Sequence, residues 1–244
     1  MAHKISFLLP SRERAEQCKS TIANIQQMTQ NMQYEILMAI DYDDPQRADY
    51  EKLTGIDVLA VMDKRSTPGQ CCNALIASAS GNIIAPHSDD IIIQTPDYAS
   101  VIREQIRKAD DPYFVLQPYS GLDWRMTIMI FSSEFIREVG YLSAPRIQHW
   151  YADTWIGDIA IMADCVYRMP SVLFYHNHYM NHPEVMDKTY EYQRRDNDAI
   201  IKADKAVYED IGSVLERTQI ANKIARKKLL HYKQQLPEFN LYKY

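Results

Sequence analysis

Short apolar runs alternate with polar stretches of helical period through the N-terminal part of the chain. Lys4 to Leu9 is an apolar run closed by Pro10, and the polar stretch from Arg12 to Gln30 places Ile22, Ile25 and Met28 at helical spacing. The unit returns as a strand over Tyr34 to Ile40, a polar break at Asp41-Tyr42-Asp43-Asp44-Pro45, a helical stretch around Gln46 to Leu53 and a strand over Val58 to Met62. It returns again as a helix over Pro68 to Ser80, where Pro68 suits the first turn, and a strand over Asn82 to Pro86. Strands separated by helix-length connections pair in parallel, and the right-handed crossovers lay helices over both faces. The spacing therefore predicts an α/β fold with a mostly parallel central sheet flanked by helices. The second half is less regular. It reads as a helix over Pro96 to Ala109, strands over Tyr113 to Gln117 and Met126 to Phe131, a helix beginning near Ala152 and a strand over Val172 to Tyr175. After about Asp187 the chain is helical and polar.

Composition narrows this picture. With 244 residues, 46% of them hydrophobic, the chain can bury one sizeable core, and its net charge of -5 excludes a protein coated in basic residues. No run approaches the roughly 18 apolar residues of a membrane span, and the expected location is cytoplasmic. Cys18, Cys71, Cys72 and Cys165 form no CxxC pair and read as buried, reduced thiols. One local exception to the acidic balance is Arg217 to Lys233, with six basic residues and no acidic one. It reads as a solvated helix packed through Ile220, Ile224 and Leu229, with an anionic membrane surface or nucleic-acid phosphates as the other readings.

Ligands of open α/β sheets sit beyond the carboxyl ends of the strands. Those ends carry Pro10-Ser11-Arg12-Glu13-Arg14, Asp41-Tyr42-Asp43-Asp44, Asp63-Lys64-Arg65 and His87-Ser88-Asp89-Asp90. Arginine forks suit diphosphate oxygens, and carboxylates suit hard divalent cations or ribose hydroxyls. Arg12 and Arg14 have a plainer reading, in which one of them pairs with Glu13 or Glu16. Asp43 and Asp44 before Pro45 are also suited simply to building a turn.

In this order the motifs resemble the GT-A nucleotide-diphospho-sugar transferases, and in particular glycosyltransferase family 2. The resemblance runs from about residue 4 to 190 and rests on Pro10-Ser11-Arg12, on Asp41 with Asp43 and Asp44, on Gly69, Asn73, Ala79 and Gly81 leading into Ile83-Ile84, on His87-Ser88-Asp89-Asp90, and on Tyr151-Ala152-Asp153-Thr154-Trp155 followed by His176-Asn177-His178. It implies a GT-A (Rossmann-like) domain over residues 1–200 and a helical, partly basic C-terminal extension over 201–244. The implied activity is inverting transfer of a sugar from a nucleotide-diphosphate donor, UDP-linked by preference, to an acceptor hydroxyl. Pro10, Ser11, Arg12, Arg14, Asp41, Asp43, Lys64, Gly69, Asn73 and Ser88 are the implied nucleotide-sugar contacts. A divalent metal, Mn²⁺ or Mg²⁺, is expected at Asp89 with a histidine, His178 ahead of His176, and with His87 standing where the family has its first aspartate. Asp153 is the implied general base, and it is about equally suited to cap the helix it opens.

Three other readings stay open. A transferase acting on hydroxylated bases of DNA would need aromatic wedges, for which Trp124, Trp150 and Trp155 are available. A sugar nucleotidyltransferase ordinarily carries a glycine-rich loop with a lysine after the first strand, and Pro10-Ser11-Arg12-Glu13-Arg14 contains no glycine. A non-catalytic nucleotide-sugar-binding module is suggested by His87. The acceptor class, a glycan or modified DNA, is not legible.

Overall fold

The structure is a computed structural model that describes residues 3–121, 126–179, 182–194 and 197–235. Among them, eight strands form one sheet: β1 (Lys4–Pro10), β2 (Gln33–Asp41), β3 (Val58–Met62), β4 (Ile83–Pro86), β5 (Ile91–Ile93), β6 (Val115–Tyr119), β7 (Ile130–Ser132) and β8 (Val166–His176), in the order β3-β2-β1-β4-β7-β6-β8-β5. β3, β2, β1 and β4 run parallel, and β7 joins β4 antiparallel. The helices are α1 (Ala15–Met28), α2 (Arg47–Tyr50), α3 (Pro68–Ile76), α4 (Tyr98–Ala109), α5 (Ser133–Val139), α6 (Ala152–Met162), α7 (Lys188–Arg194), α8 (Asn197–Glu209) and α9 (Ile211–Gln235).

The central strands are apolar on both faces because both faces are covered. Phe7 and Leu9 of β1 join α1 and α4 in one core through Ile22, Ile25, Tyr98 and Ile102. Leu8 points the other way, into a second core with Leu75 of α3, Phe135 of α5, Ile159 of α6 and Ile224 of α9. Alternation along β1 thus feeds two layers, as a period of two requires. The last helix is a structural member of the second layer.

The charges of α9 are spent inward. Arg217 pairs with Asp158 and lies over the Trp155 and Tyr208 rings, Lys223 and Lys227 converge on Glu138, and Lys228 pairs with Asp111. Four of the six cations are therefore neutralised, which favours the packed-helix reading over a grip on phosphates. Leu229, expected to pack, is instead 68% exposed.

Differences from the expected elements have local causes. Helix α1 begins at Ala15 rather than Arg12 because the chain first turns through Glu13 at φ 55°. Side chains from the loop after β2 then take the unpaired N–H groups: Asp44 accepts from Glu13, Tyr50 from Arg14 and Gln46 from Ala15. The strand expected over Met126 to Phe131 is the shorter β7, and β5 and α5 were not signalled. The strand expected over Val172 to Tyr175 is the end of the 11-residue β8. Its first part pairs parallel with β6 and its last part antiparallel with β5; the register jumps from Pro118↔Met169 to Tyr119↔Leu173. Pro170 lies in the skipped stretch, where a residue without an N–H costs the ladder nothing. Among the described residues no helix is long and apolar enough to cross a membrane.

Candidate functional site

A cleft of about 620 Å³ opens at the carboxyl ends of β1, β2 and β4. Parallel register brings these ends together: Pro10 of β1 faces Ala39 of β2, and Leu8 faces Pro86 of β4. The loops that follow therefore meet at one edge. Arg12 extends to Asp41 at 2.9 Å and Asp43 at 2.6 Å, with Glu13 more distant at 3.4 Å. Asp41 is buried and also accepts the Ser66 N–H at 2.9 Å, which ties the loop after β3 to the same wall.

Arg14 organises the centre. Its Nη1 donates to Asp89 Oδ1 at 2.8 Å, while Nε and Nη2 form a fork on Asp187 at 2.7 and 2.9 Å. The guanidinium lies over the Tyr190 ring, 4.0 Å from its centroid. Ser11 donates to the other Asp89 oxygen at 2.7 Å, so both oxygens of that carboxylate are engaged. Burial pushes Asp89 upward in pKa, with Arg14 opposing and Asp90 adding to the rise. The neighbouring Asp90 is held low: burial opposes its charge, but the bond and charge of His176 at 3.3 Å and the hydroxyl of Tyr190 outweigh it. Asp90 Oδ1 is buried without a hydrogen-bond partner among the described residues. His178 packs against His176, Tyr179 and Tyr190, and burial, with the His176 charge adding, pushes it down to about 4.

Of the residues expected from sequence, Pro10, Ser11, Arg12, Arg14, Asp41, Ser88, Asp89, His176 and His178 line this cleft. Six others do not: His87, Gly69, Asn73, Lys64, Asp153 and Asp43. His87 is in the core: its ring meets Phe7 and Phe174 edge-on, Nε2 contacts the Ile91 carbonyl at 3.2 Å, and burial lowers it to about 4. It does not reach the cleft as a ligand. Gly69 packs against the segment before α6, where a β-carbon would fall 2.5 Å from Ser143. Asn73 holds that same segment, donating to the Ser143 carbonyl at 2.7 Å and accepting from the Leu142 and Ser143 N–H groups. Lys64 is exposed. Asp153 lies in the first turn of α6 and accepts the Thr154 N–H at 2.7 Å. Asp43 sits at the rim, and Asp44 builds the turn through Gln46. Asp158, further along α6, is engaged by Tyr208 and Arg217. Of the candidate wedges, Trp155 is fully buried, Trp150 donates its ring N–H to Asn197, and Trp124 lies outside the described residues.

The sequence carried no signal for several residues that complete the site. Asp187 and Tyr190 reach Arg14 and Asp90 from 173 and 100 residues away. Thr189 donates to the Arg12 carbonyl at 2.9 Å. Gln148 and His149 form part of the facing wall. Their backbone is held by the buried Asp204 of α8, which accepts the N–H groups of Gln148, His149 and Trp150 at 2.8 to 2.9 Å. A polar residue inside a polar helix gives no warning of such a role.

For a divalent cation, the donor set differs from the one expected. Among the described residues no three His, Cys, Asp or Glu side chains are grouped to hold an ion unaided. Asp89, the expected lead ligand, spends its oxygens on Ser11 and Arg14. The unpartnered Oδ1 of Asp90, oriented by His176 and Tyr190, fits the mode in which one carboxylate and the phosphates of a nucleotide share the ion.

Fold and cleft together define an α/β fold of the GT-A type, with parallel central strands and an acidic loop after β4. Solved structures share this architecture. The mannosyltransferase PcManGT from Pyrobaculum calidifontis, in complex with GDP-Man and Mn²⁺, matches with a TM-score of 0.61 at 12% identity, over 97% of this chain and 77% of its own. S. aureus TarS 1–349 in complex with UDP matches with a TM-score of 0.58 at 12% identity, over 95% of this chain and 87% of that one. A mycobacterial protein matches with a TM-score of 0.54 at 10% identity, over 72% of this chain and 68% of its own. No family model and no curated protein matches the sequence.

Proposed function

We propose that the chain is a glycosyltransferase that binds a nucleoside-diphosphate sugar across the ends of β1, β2 and β4, and that a divalent cation enters with the diphosphate at Asp90. The observation that carries this reading is the commitment of charge in the cleft. Arg12 is paired with Asp41 and Asp43, and Arg14 with Asp89 and Asp187, while Asp90 keeps one carboxylate oxygen unpartnered. Neither arginine has a whole positive charge left for a diphosphate, so an additional cation is needed where Asp90 faces it. When bound, Mn²⁺ or Mg²⁺ would neutralise the charge that grows on the departing diphosphate.

The chain's own residues do the rest. Asp41, fixed by Arg12 and the Ser66 N–H, retains lone pairs for a uracil imide or a ribose hydroxyl, and for this reason a UDP-linked sugar is the favoured donor. Arg14, locked on three sides, holds Asp89 in place beneath the diphosphate. Asp41 and Asp89 are both pinned by arginines, which leaves them poorly placed to form a covalent sugar intermediate; direct displacement with inversion is the matching mechanism. Four buried, unpaired cysteines suit a reducing compartment such as the cytoplasm.

The test is binding and turnover with a panel of UDP- and GDP-sugars, with Mn²⁺, Mg²⁺ or EDTA. A donor should bind and release its nucleoside diphosphate only with metal, and Asp90→Asn should lower that turnover by about 1,000-fold with the fold retained. No binding of any nucleotide sugar, or full activity in Asp90→Asn, would overturn the reading.

A further inference from the structure

The wall facing Asp89 and Asp90 carries a group that the sequence motifs did not single out. His149 lines the cleft and is half-buried. Its backbone N–H is fixed by Asp204, together with those of Gln148 and Trp150 on either side, so the loop bearing it cannot drift without leaving a buried carboxylate unpaired. Its ring stands edge-on to Trp150 at 5.4 Å, and neither ring nitrogen is hydrogen-bonded to a described residue. Asp153, the expected base, lies in the first turn of α6 and is not among the residues lining the cleft.

The geometry points to His149 as the residue that takes the proton from the acceptor hydroxyl, with Asp153 as its electrostatic partner. This inference rests on the proposed transferase reading. As the acceptor oxygen forms its bond to the anomeric carbon, the carbon–oxygen bond to the diphosphate breaks and its electron pair leaves with the nucleoside diphosphate. The acceptor proton passes to a ring nitrogen of His149 and is later lost to water. Both features of the wall serve this step: a backbone held by Asp204, and an imidazole in the cleft wall with no hydrogen bond to a described residue.

The charged groups around the ring act in opposite directions. Burial lowers the pKa of His149 from its ordinary value, while Asp204 of α8 and Asp153 of α6 pull it back up. His178, which also lines the cleft, is held neutral over the working range chiefly by its own burial and adds little positive charge there. Near neutral pH the His149 ring is therefore neutral and ready to accept a proton.

The experiment measures donor turnover, with UDP-glucose and GDP-mannose as probes and water as the acceptor, from pH 5 to 9 in native protein, His149→Gln and Asp153→Asn. In His149→Gln, kcat should fall by about 100-fold or more, the acid limb of the profile should disappear, and the dissociation constant for nucleoside diphosphate should stay within about threefold. In Asp153→Asn, where His149 is intact, the acid limb should move to lower pH because a carboxylate that raised the His149 pKa is gone. An unchanged kcat in His149→Gln overturns the assignment, and so does an acid limb that persists there or stays put in Asp153→Asn. Tight nucleotide binding in all three proteins would leave the transferase reading standing when this inference fails. Absence of binding and turnover in the native protein would remove both.

Discussion

The two walls of the cleft are held by different means. On the donor wall, side chains hold side chains: Arg12 bridges Asp41 and Asp43, and Arg14 bridges Asp89 and Asp187. On the facing wall, side chains hold backbone: Asp204 gathers the N–H groups of Gln148, His149 and Trp150, and Asn73 gathers those of Leu142 and Ser143. Ion pairs are directional and exchangeable, so the donor wall can trade a contact for a phosphate oxygen or a cation. Pinned backbone has no such alternative, so the facing wall is a fixed surface, and under the proposed function it is the side against which an acceptor would be positioned. Preorganisation lies on one side and exchange of charge on the other.

The largest effect expected from breaking this contrast is at Arg14. Arg14→Ala leaves Asp89 buried beside Asp90 without its cation, and removing one partner of a buried pair costs about 3–5 kcal/mol. Urea unfolding should show that loss, and nucleotide binding should fail in the same variant, because the donor wall collapses as a unit. A comparable midpoint shift with normal nucleotide affinity would show that Arg14 serves stability alone.

Asp204→Ala should come next. It strands three backbone N–H groups and should destabilise the protein by about 3 kcal/mol, while the dissociation constant for nucleoside diphosphate stays near the native value. Calorimetry on both variants separates the walls: one loses affinity and stability together, the other stability and turnover but not donor affinity. Equal loss of affinity in both would dissolve the distinction.

The smallest effect concerns pH and reports on the core beneath both walls. Burial lowers His87 from 6.5 to about 4, so the folded protein resists a proton that the unfolded chain accepts. Its contribution to stability is complete above about pH 6.5 and is lost as pH falls toward 4. His178 shifts in the same direction for the same reason. Replacing His87 by Gln keeps an amide donor for the Ile91 carbonyl but removes the titration, so the fall in melting temperature between pH 6.5 and 4 should become shallower. An unchanged slope would mean that His87 is charged in the fold.

Much of the donor wall was legible because strand ends are local features. An apolar run that stops at Pro10, at Asp41 or at Pro86 announces both the strand and the residues that follow it, and parallel pairing then brings those residues together. The helix of Gly69 and Asn73 is legible in the sequence, whereas the contacts of both residues with the Leu142–Ser143 segment are not. A motif shows that a residue type is required at a place, and several different contacts satisfy the same requirement. Which of Asp89 and Asp90 keeps an unpartnered oxygen is hidden for a similar reason: adjacent aspartates look alike until the partners of each oxygen are known.

By itself, the chain's pattern determined the α/β class, the four parallel strands with their connecting helices, and the gathering of Ser11, Arg12, Asp41 and Asp89 at one edge, since strand period and turn chemistry act over a few residues. Only the tertiary structure decided that Arg14 is clamped by Asp187, that β8 divides its pairing between β6 and β5, and that a carboxylate on α8 fixes the loop carrying His149. Those contacts join residues that lie from tens of positions to 173 positions apart. Their free energy comes from burying charge and backbone together, a quantity that no local window of sequence contains.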